Sequence, residues 1–221
     1  ILYVFYLAMM AGLVILLVLG GMPLFDSFIH AFGAAGTGGF SNRSASIAYY
    51  NSAYIDYVLG GAMILFGVNF NLYYALLFHH VRGFFRSEEL RWYLAIILAA
   101  VVGVAINVRW LYDSFPRLIR DVFFTVSSIM TTTGYTTANF DLWPVFSKLV
   151  LLALMFVGGM AGSTAGGFKV SRVAIYIKSA LMEIRRNVSP NRRQPLSFEG
   201  KQLSDSLVRQ SSFYLTVYIA V

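Results

Sequence analysis

Apolar runs of membrane-crossing length alternate along this chain with short amphiphilic segments and loops of small residues. Residues 1–21 carry no charge and, at ~1.5 Å per residue, are long enough to cross a hydrocarbon core of ~30 Å. Gly20, Gly21 and Pro23 end that run. Residues 24–35 are too short to cross and hold Asp26 and His30, which predicts a re-entrant half-helix. A loop of Ala34, Ala35, Gly36, Thr37, Gly38, Gly39, Phe40 and Ser41 closes it, residues 42–52 climb back out, and residues 56–78 form a second full span containing Asn69 and Asn71.

The same order then returns. Residues 92–112 form a span whose terminal Trp92 and Tyr112 fit an interfacial aromatic belt. Pro116 opens a second half-helix at its first turn, running to about Met130. Thr131, Thr132, Thr133, Gly134, Tyr135, Thr136 and Thr137 follow. As one helix, residues 142–187 would be about 70 Å long, more than twice what a bilayer core needs. Gly158, Gly159, Met160, Ala161, Gly162, Ser163, Thr164, Ala165, Gly166 and Gly167 interrupt that stretch. They predict two helices joined by a flexible loop at membrane depth. Residues 211–221 begin a further span.

The pattern predicts an all-α membrane protein of repeated helix–pore-helix–loop–helix units, two in this chain and the start of another. The units are residues 1–80 and 92–188, joined by a cytoplasmic connection over 81–91. A cytoplasmic linker (189–207) leads to a last transmembrane helix starting in 208–221. The chain opens at Ile1, without Met, inside one apolar run and closes inside another, so a longer protein is expected.

Composition agrees with lipid on the outside. Hydrophobic residues make up 58% and charged residues 12%, against roughly 45–50% and ~25% in ordinary globular domains. The net charge of +7 does not call for nucleic acid, because the basic residues sit in short stretches between apolar ones. Nine of the seventeen Lys and Arg lie within 169–209, which marks the cytoplasmic side. On that reading 79–91 and 169–209 face the cytoplasm. The chain has no Cys, which excludes disulfides and thiolate metal sites.

Polar backbone at membrane depth is tolerated only where it lines a cavity or is enclosed by protein. Aligning Gly38 with Gly134 also aligns Thr37 with Thr133, Ser41 with Thr137 and Phe28 with Phe124. Two such loops in register suggest a repeated ion-pore element. A ring of backbone carbonyls can replace the water around a dehydrated cation, and Gly permits the tight turn this requires. Each half-helix aims its carbonyl end, with partial negative charge, at the same place. The expected filter is Thr37, Gly38, Gly39 and Phe40 with Thr132, Thr133, Gly134 and Tyr135. Potassium would be held by the backbone of Thr37, Gly38, Thr133 and Gly134. Gly158, Gly159, Gly162, Ser163, Thr164, Gly166 and Gly167 read as a gating loop beneath it, close helix packing through small residues being the other explanation. Lys169 and Arg172 read as interfacial anchors, and Asn69 and Asn71 as inter-helix hydrogen-bonding groups. Asp56 either draws cations or pairs with an Arg. His30, His79 and His80 have no metal-ligand spacing. No nucleophile–base pair, paired carboxylates or phosphate-binding Lys loop argues for catalysis.

The run from Thr131 to Thr137 and the GGMAGSTAGGFKV stretch starting at Gly158 resemble the Trk/Ktr/HKT superfamily of potassium transporters. The TrkH branch is most similar, with the KtrB branch next. The resemblance implies four such repeats around one pore, with Gly38 and Gly134 as filter glycines and residues 158–167 as an intramembrane gate. It implies potassium as the transported ion, no organic cofactor, and a homodimer in a bacterial or archaeal inner membrane. It further implies a cytosolic, nucleotide-binding, RCK-type (TrkA-like) regulatory ring. The alternative is a secondary transporter of another cation or small solute working by alternating access; two loops in parallel rather than inverted register speak against it.

Overall fold

The computed structural model describes residues 2–77, 81–188 and 196–220. His79 and His80 lie outside the described residues, as do residues 189–195 of the expected linker. Helix α1 (Leu2–Leu19) is uncharged and buries only Leu13, Val14 and Leu17, against α2 (Leu24–Ala35) and α3 (Ala53–Phe66). Pro23 precedes α2 and fixes its entry, while the hydroxyl of Ser52 accepts the Ile55 N–H at the start of α3. After α4 (Phe70–Leu77) and α5 (Val81–Arg86), α6 (Glu88–Val108) starts where the Ser87 hydroxyl accepts the Leu90 N–H. The second half-helix is α7 (Phe115–Met130), with Pro116 in its first turn. Helices α8 (Val145–Val157) and α9 (Val170–Val188) flank the glycine-rich stretch, and α10 (Asp205–Ala220) covers the expected further span. α1 and α6 are long and apolar enough to cross a membrane.

The second half-helix, α7, stands at the centre. α3 and α6 both pack on α7, and α8 packs on α6 and α7. Gly60 lets α3 approach closely, because a Cβ there would lie 2.6 Å from the Phe123 ring. Phe124 and Tyr135 of the second unit are buried among Leu17, Leu59 and Met63 of the first, so the units share one interior. With lipid outside there is little hydrophobic drive between helices, and such packing and inter-helix hydrogen bonds hold them together.

One expectation needs correction. Residues 56–78 are not one unbroken span: α3 and α4 meet at 93° across Gly67, Val68 and Asn69. A helix end leaves its last carbonyls without intrahelical partners, and here each finds one. The Tyr93 hydroxyl donates to Ile64 O (3.1 Å), Tyr73 to Leu65 O (2.7 Å) and Thr164 to Phe66 O (3.3 Å), and the Met160 N–H donates to Gly67 O (3.0 Å). Asn69 Oδ1 accepts the Asn71 N–H at 2.9 Å, a local bond that opens α4. Within the stretch expected as a linker lies a hairpin of β1 (Ser197–Phe198) and β2 (Lys201–Gln202) pairing Ser197 with Gln202 and Phe198 with Lys201.

Candidate ion pathway

α2 and α7 end in matching loops, but one residue out of the expected alignment. In the first, the N–H groups of Gly38 (2.8 Å) and Gly39 (3.4 Å) both reach Gly33 O. In the second, those of Thr133 (2.9 Å) and Gly134 (3.4 Å) both reach Ser128 O. Thr37 (φ 50°) and Gly39 (φ 64°) are left-handed, and so are Thr132 (φ 57°) and Gly134 (φ 90°). The offset is therefore 95 residues. Gly39, not Gly38, corresponds to Gly134; Gly38 corresponds to Thr133, Thr37 to Thr132 and Phe40 to Tyr135. A left-handed β-branched residue is rare and costs of order 1–3 kcal/mol. Its occurrence at the same place in both loops marks a built geometry.

The loops touch. A Cβ on Gly39 would overlap the Thr133 carbonyl, whereas one on Gly134 would meet open space. The Tyr135 hydroxyl spans the units, within 3.0 Å of Phe40 O and 3.2 Å of His30 O. Behind the second loop the Ser128 hydroxyl donates to Tyr135 O (2.7 Å), and the Thr131 and Thr133 hydroxyls lie 2.8 Å apart. The Ala48 N–H of the first unit donates to Thr136 O at 3.2 Å.

The stretch between α8 and α9 is not a slack linker. Lys169 N–H to Val157 O (2.9 Å), Phe168 N–H to Phe156 O (2.8 Å) and Val170 N–H to Gly159 O (3.1 Å) close its neck. Gly158 and Gly167 are left-handed, and a Cβ on Gly158 would overlap Gly166 O. The tip lies against both loops. The Thr37 hydroxyl donates to Thr164 O (3.0 Å), and the Gly166 N–H donates to the Thr132 hydroxyl (2.7 Å). Two further bonds, Met160 N–H to Gly67 O and Phe70 N–H to Gly162 O (3.1 Å), moor it in the α3–α4 break.

The comparisons with known proteins agree with this architecture. A family model described as "TrkH: Cation transport protein" matches residues 1–221. The chain belongs to the TrkH family. It is 31% identical over its whole length to the Trk system potassium uptake protein TrkH of Salmonella typhimurium, covering 46% of that protein. It is 34% identical over 92% of its length to the Trk system potassium uptake protein TrkG of Escherichia coli, covering 43% of that one. The crystal structure of the potassium transporter TrkH from Vibrio parahaemolyticus superposes with a TM-score of 0.94 at 28% identity, over 99% of this chain and 48% of that one. The chain thus spans about half the length of the curated relatives it matches. The family is one of membrane transporters, not enzymes.

Other polar residues of this TrkH-family chain hold the structure around the loops. His30, buried, has Nδ1 2.7 Å from Asp26 O and Nε2 2.9 Å from the Ser41 hydroxyl, which ties the far side of the first loop to α2. Asp26, also buried, accepts from Tyr50 (2.6 Å), Asn42 and Arg43 (2.9 Å). The position equivalent to Asp26 at the offset of 95 is Asp121, which lies 3.5 Å from Arg120. Asp56 pairs with Arg120 at 3.4 Å. Lys169 and Arg172, expected as anchors, donate to Ala165 O and Phe168 O, and the Arg172 guanidinium lies 4.2 Å from the Tyr214 ring centre.

Proposed function

We propose that this chain forms part of a potassium-uptake transporter whose filter is a ring of backbone carbonyls. The supporting observation is the pair of matched left-handed loops, Gly39 set against the Thr133 carbonyl and each loop at the carbonyl end of a half-helix. Thr37, Gly38 and Gly39 supply one part of the ring, and Thr132, Thr133 and Gly134 another. The buried Tyr135, whose hydroxyl donates to Phe40 O, braces the two from behind. Carbonyls held at fixed spacing replace the hydration shell of potassium, and the ends of α2 and α7 add negative potential. Relatives named potassium uptake proteins point to the same ion.

The loop of Gly158, Gly159, Gly162, Ser163, Thr164, Gly166 and Gly167 lies against the inner threonines, Thr37 and Thr132. In this reading it is the gate. The repeats are 1–80 and 92–188, with 79–91 and 169–209 on the cytoplasmic side of an inner membrane. A homodimer and an RCK-type cytosolic ring complete the assembly. The test is cation flux through the intact protein in liposomes. Potassium or rubidium should outrun sodium, and Gly134→Ser should weaken that preference, since Ser there is forced to φ near 90°. Saturable solute transport with no ionic current would overturn the reading in favour of alternating access.

A further inference from the structure

A chain of hydrogen bonds joins the cytoplasmic hairpin to the glycine-rich loop through one carboxylate. Glu89, in the first turn of α6, is 6% exposed. Its Oε1 accepts the Ala161 N–H at 2.8 Å and the Ser171 N–H at 3.2 Å. One oxygen therefore holds both the loop and the first turn of α9, where the helix dipole favours negative charge. Bonds to an ionised acceptor are roughly twice as strong as neutral ones.

The backbone of the same residue is held from the other side. Glu199, in the hairpin turn, uses its Oε1 to accept the Ser87 hydroxyl (2.7 Å) and the Glu89 N–H (2.8 Å). Its own N–H donates to Glu88 Oε2 (3.3 Å). Lys178 of α9 bridges Glu88 Oε1 and Ser197 O, both at 2.6 Å. Leu196 and Phe198 are buried beneath the hairpin. The hairpin thus caps α6 in trans, at the residue whose side chain tethers the loop.

We propose that Glu89 is a positioning residue for the gate, and that the hairpin of β1 and β2 is the cytoplasmic handle that sets it. The proposal rests on reading residues 158–167 as the gate. Docked, the hairpin fixes the start of α6, and Glu89 keeps Ala161 in place with the loop tip against Thr37 and Thr132. Pulling the hairpin away frees the Glu89 N–H, loosens the first turn of α6 and releases the loop. A cytoplasmic protein that engages residues 196–203 would act on ion flow without touching the pore.

The chain has no native Cys, so Ala161→Cys gives a single reporter thiol in it while leaving the backbone N–H in place. Labelling by a water-soluble thiol reagent and rubidium flux are measured on the intact protein in liposomes, with and without Glu199→Ala or Glu89→Gln. Glu199 is exposed, so its replacement tests the idea even where a change at Glu89 disturbs folding. Both variants should speed labelling and flux about tenfold, the factor set by ~1.4 kcal/mol, with potassium-over-sodium preference unchanged. Glu89→Gln combined with Glu199→Ala should add little to either alone, because both act on one path. Unchanged labelling in Glu199→Ala, or fully multiplicative effects, would overturn the latch. Faster labelling with unchanged flux would leave the latch standing and overturn the loop as the gate.

Discussion

Replacing Gly39 and Gly38 by Ala, one at a time, separates the observed pairing of the two loops from the one the sequence suggested. At Gly39 the backbone is left-handed (φ 64°) and a Cβ would overlap the Thr133 carbonyl. The left-handed conformation costs an L-residue roughly 1–2 kcal/mol, and displacing packed atoms costs ~1–3 kcal/mol more. No rotamer relieves this, because the obstructing atom is backbone and is one of the carbonyls assigned to the ion. Gly38 is not left-handed, and its Cβ would meet only the Phe40 ring at 3.0 Å. That ring is 78% exposed and can turn aside for about 1 kcal/mol or less. If ~1.4 kcal/mol of the Gly39 strain reaches the ion site, relative occupancy by potassium and sodium changes tenfold. The assay is paired potassium and sodium influx into liposomes carrying the intact protein, with gel filtration confirming that each variant folds. Gly39→Ala should lose at least tenfold in preference and Gly38→Ala less than threefold, by the same constant. The reverse order would refute the offset of 95 and restore Gly38 opposite Gly134.

Three more perturbations bear on the same geometry. Tyr135→Phe keeps the ring but removes the donor to Phe40 O and His30 O; losing a hydrogen bond of this kind costs about 0.5–1.5 kcal/mol, and paired flux measurements should show reduced potassium preference with folding intact. Gly67→Ala would drive a Cβ into the Tyr93 hydroxyl, so thermal unfolding should fall by several degrees, with Tyr93→Phe in the same chain recovering part of it. Tyr50 is pushed up to about 12 by burial and by its bond to Asp26. Its raised value makes its contribution constant below pH 10 and lost between about 10 and about 12, so Tyr50→Phe should flatten the alkaline limb of a stability-against-pH curve in that window.

How much of this was legible without coordinates follows from what each signal measures. The half-helices 24–35 and 116–130 were readable because length and apolar content decide whether a segment crosses, and Pro23 and Pro116 fix their starts. The break after Phe66 was not, since Gly67 and Asn69 are unremarkable in an apolar run. What stops the helix there is a set of acceptors satisfied by Tyr73, Tyr93, Met160 and Thr164, the last three distant in sequence. The register slipped by one because the Thr-Gly pair at 37–38 was matched to the Thr-Gly pair at 133–134. Matching the acid and the aromatic instead, Asp26 with Asp121 and Phe28 with Phe123, gives the offset of 95 and brings Thr37 onto Thr132. Glu89 and Glu199 carried no signal, because a carboxylate at a helix start reads as an ordinary favourable charge.

The bonds that hold the glycine-rich loop also limit how it can move. Six polar contacts secure it: Met160 to Gly67, Phe70 to Gly162, Thr164 to Phe66, Thr37 to Thr164, Gly166 to Thr132, and Ala161 to Glu89. At ~0.5–1.5 kcal/mol each, even with water taking the partner's place, losing all six costs roughly 3–9 kcal/mol. If the loop is the gate proposed above, an open state within a few kcal/mol of the closed one cannot require all six contacts to break at once. Met160 and Gly162 are bound to the backbone of the α3–α4 break and stay with it. The contacts to Thr37 and Thr132, and the tether to Glu89, involve side chains that can turn to water. If the loop is that gate, opening would swing the tip away from Thr37 and Thr132 about its moorings at Gly67 and Phe70, with the neck at Gly158 and Gly167 kept closed. On that reading the α3–α4 break of the first unit would hold the fixed end of the loop of the second, and the free end would lie against Thr37 and Thr132, one from each unit.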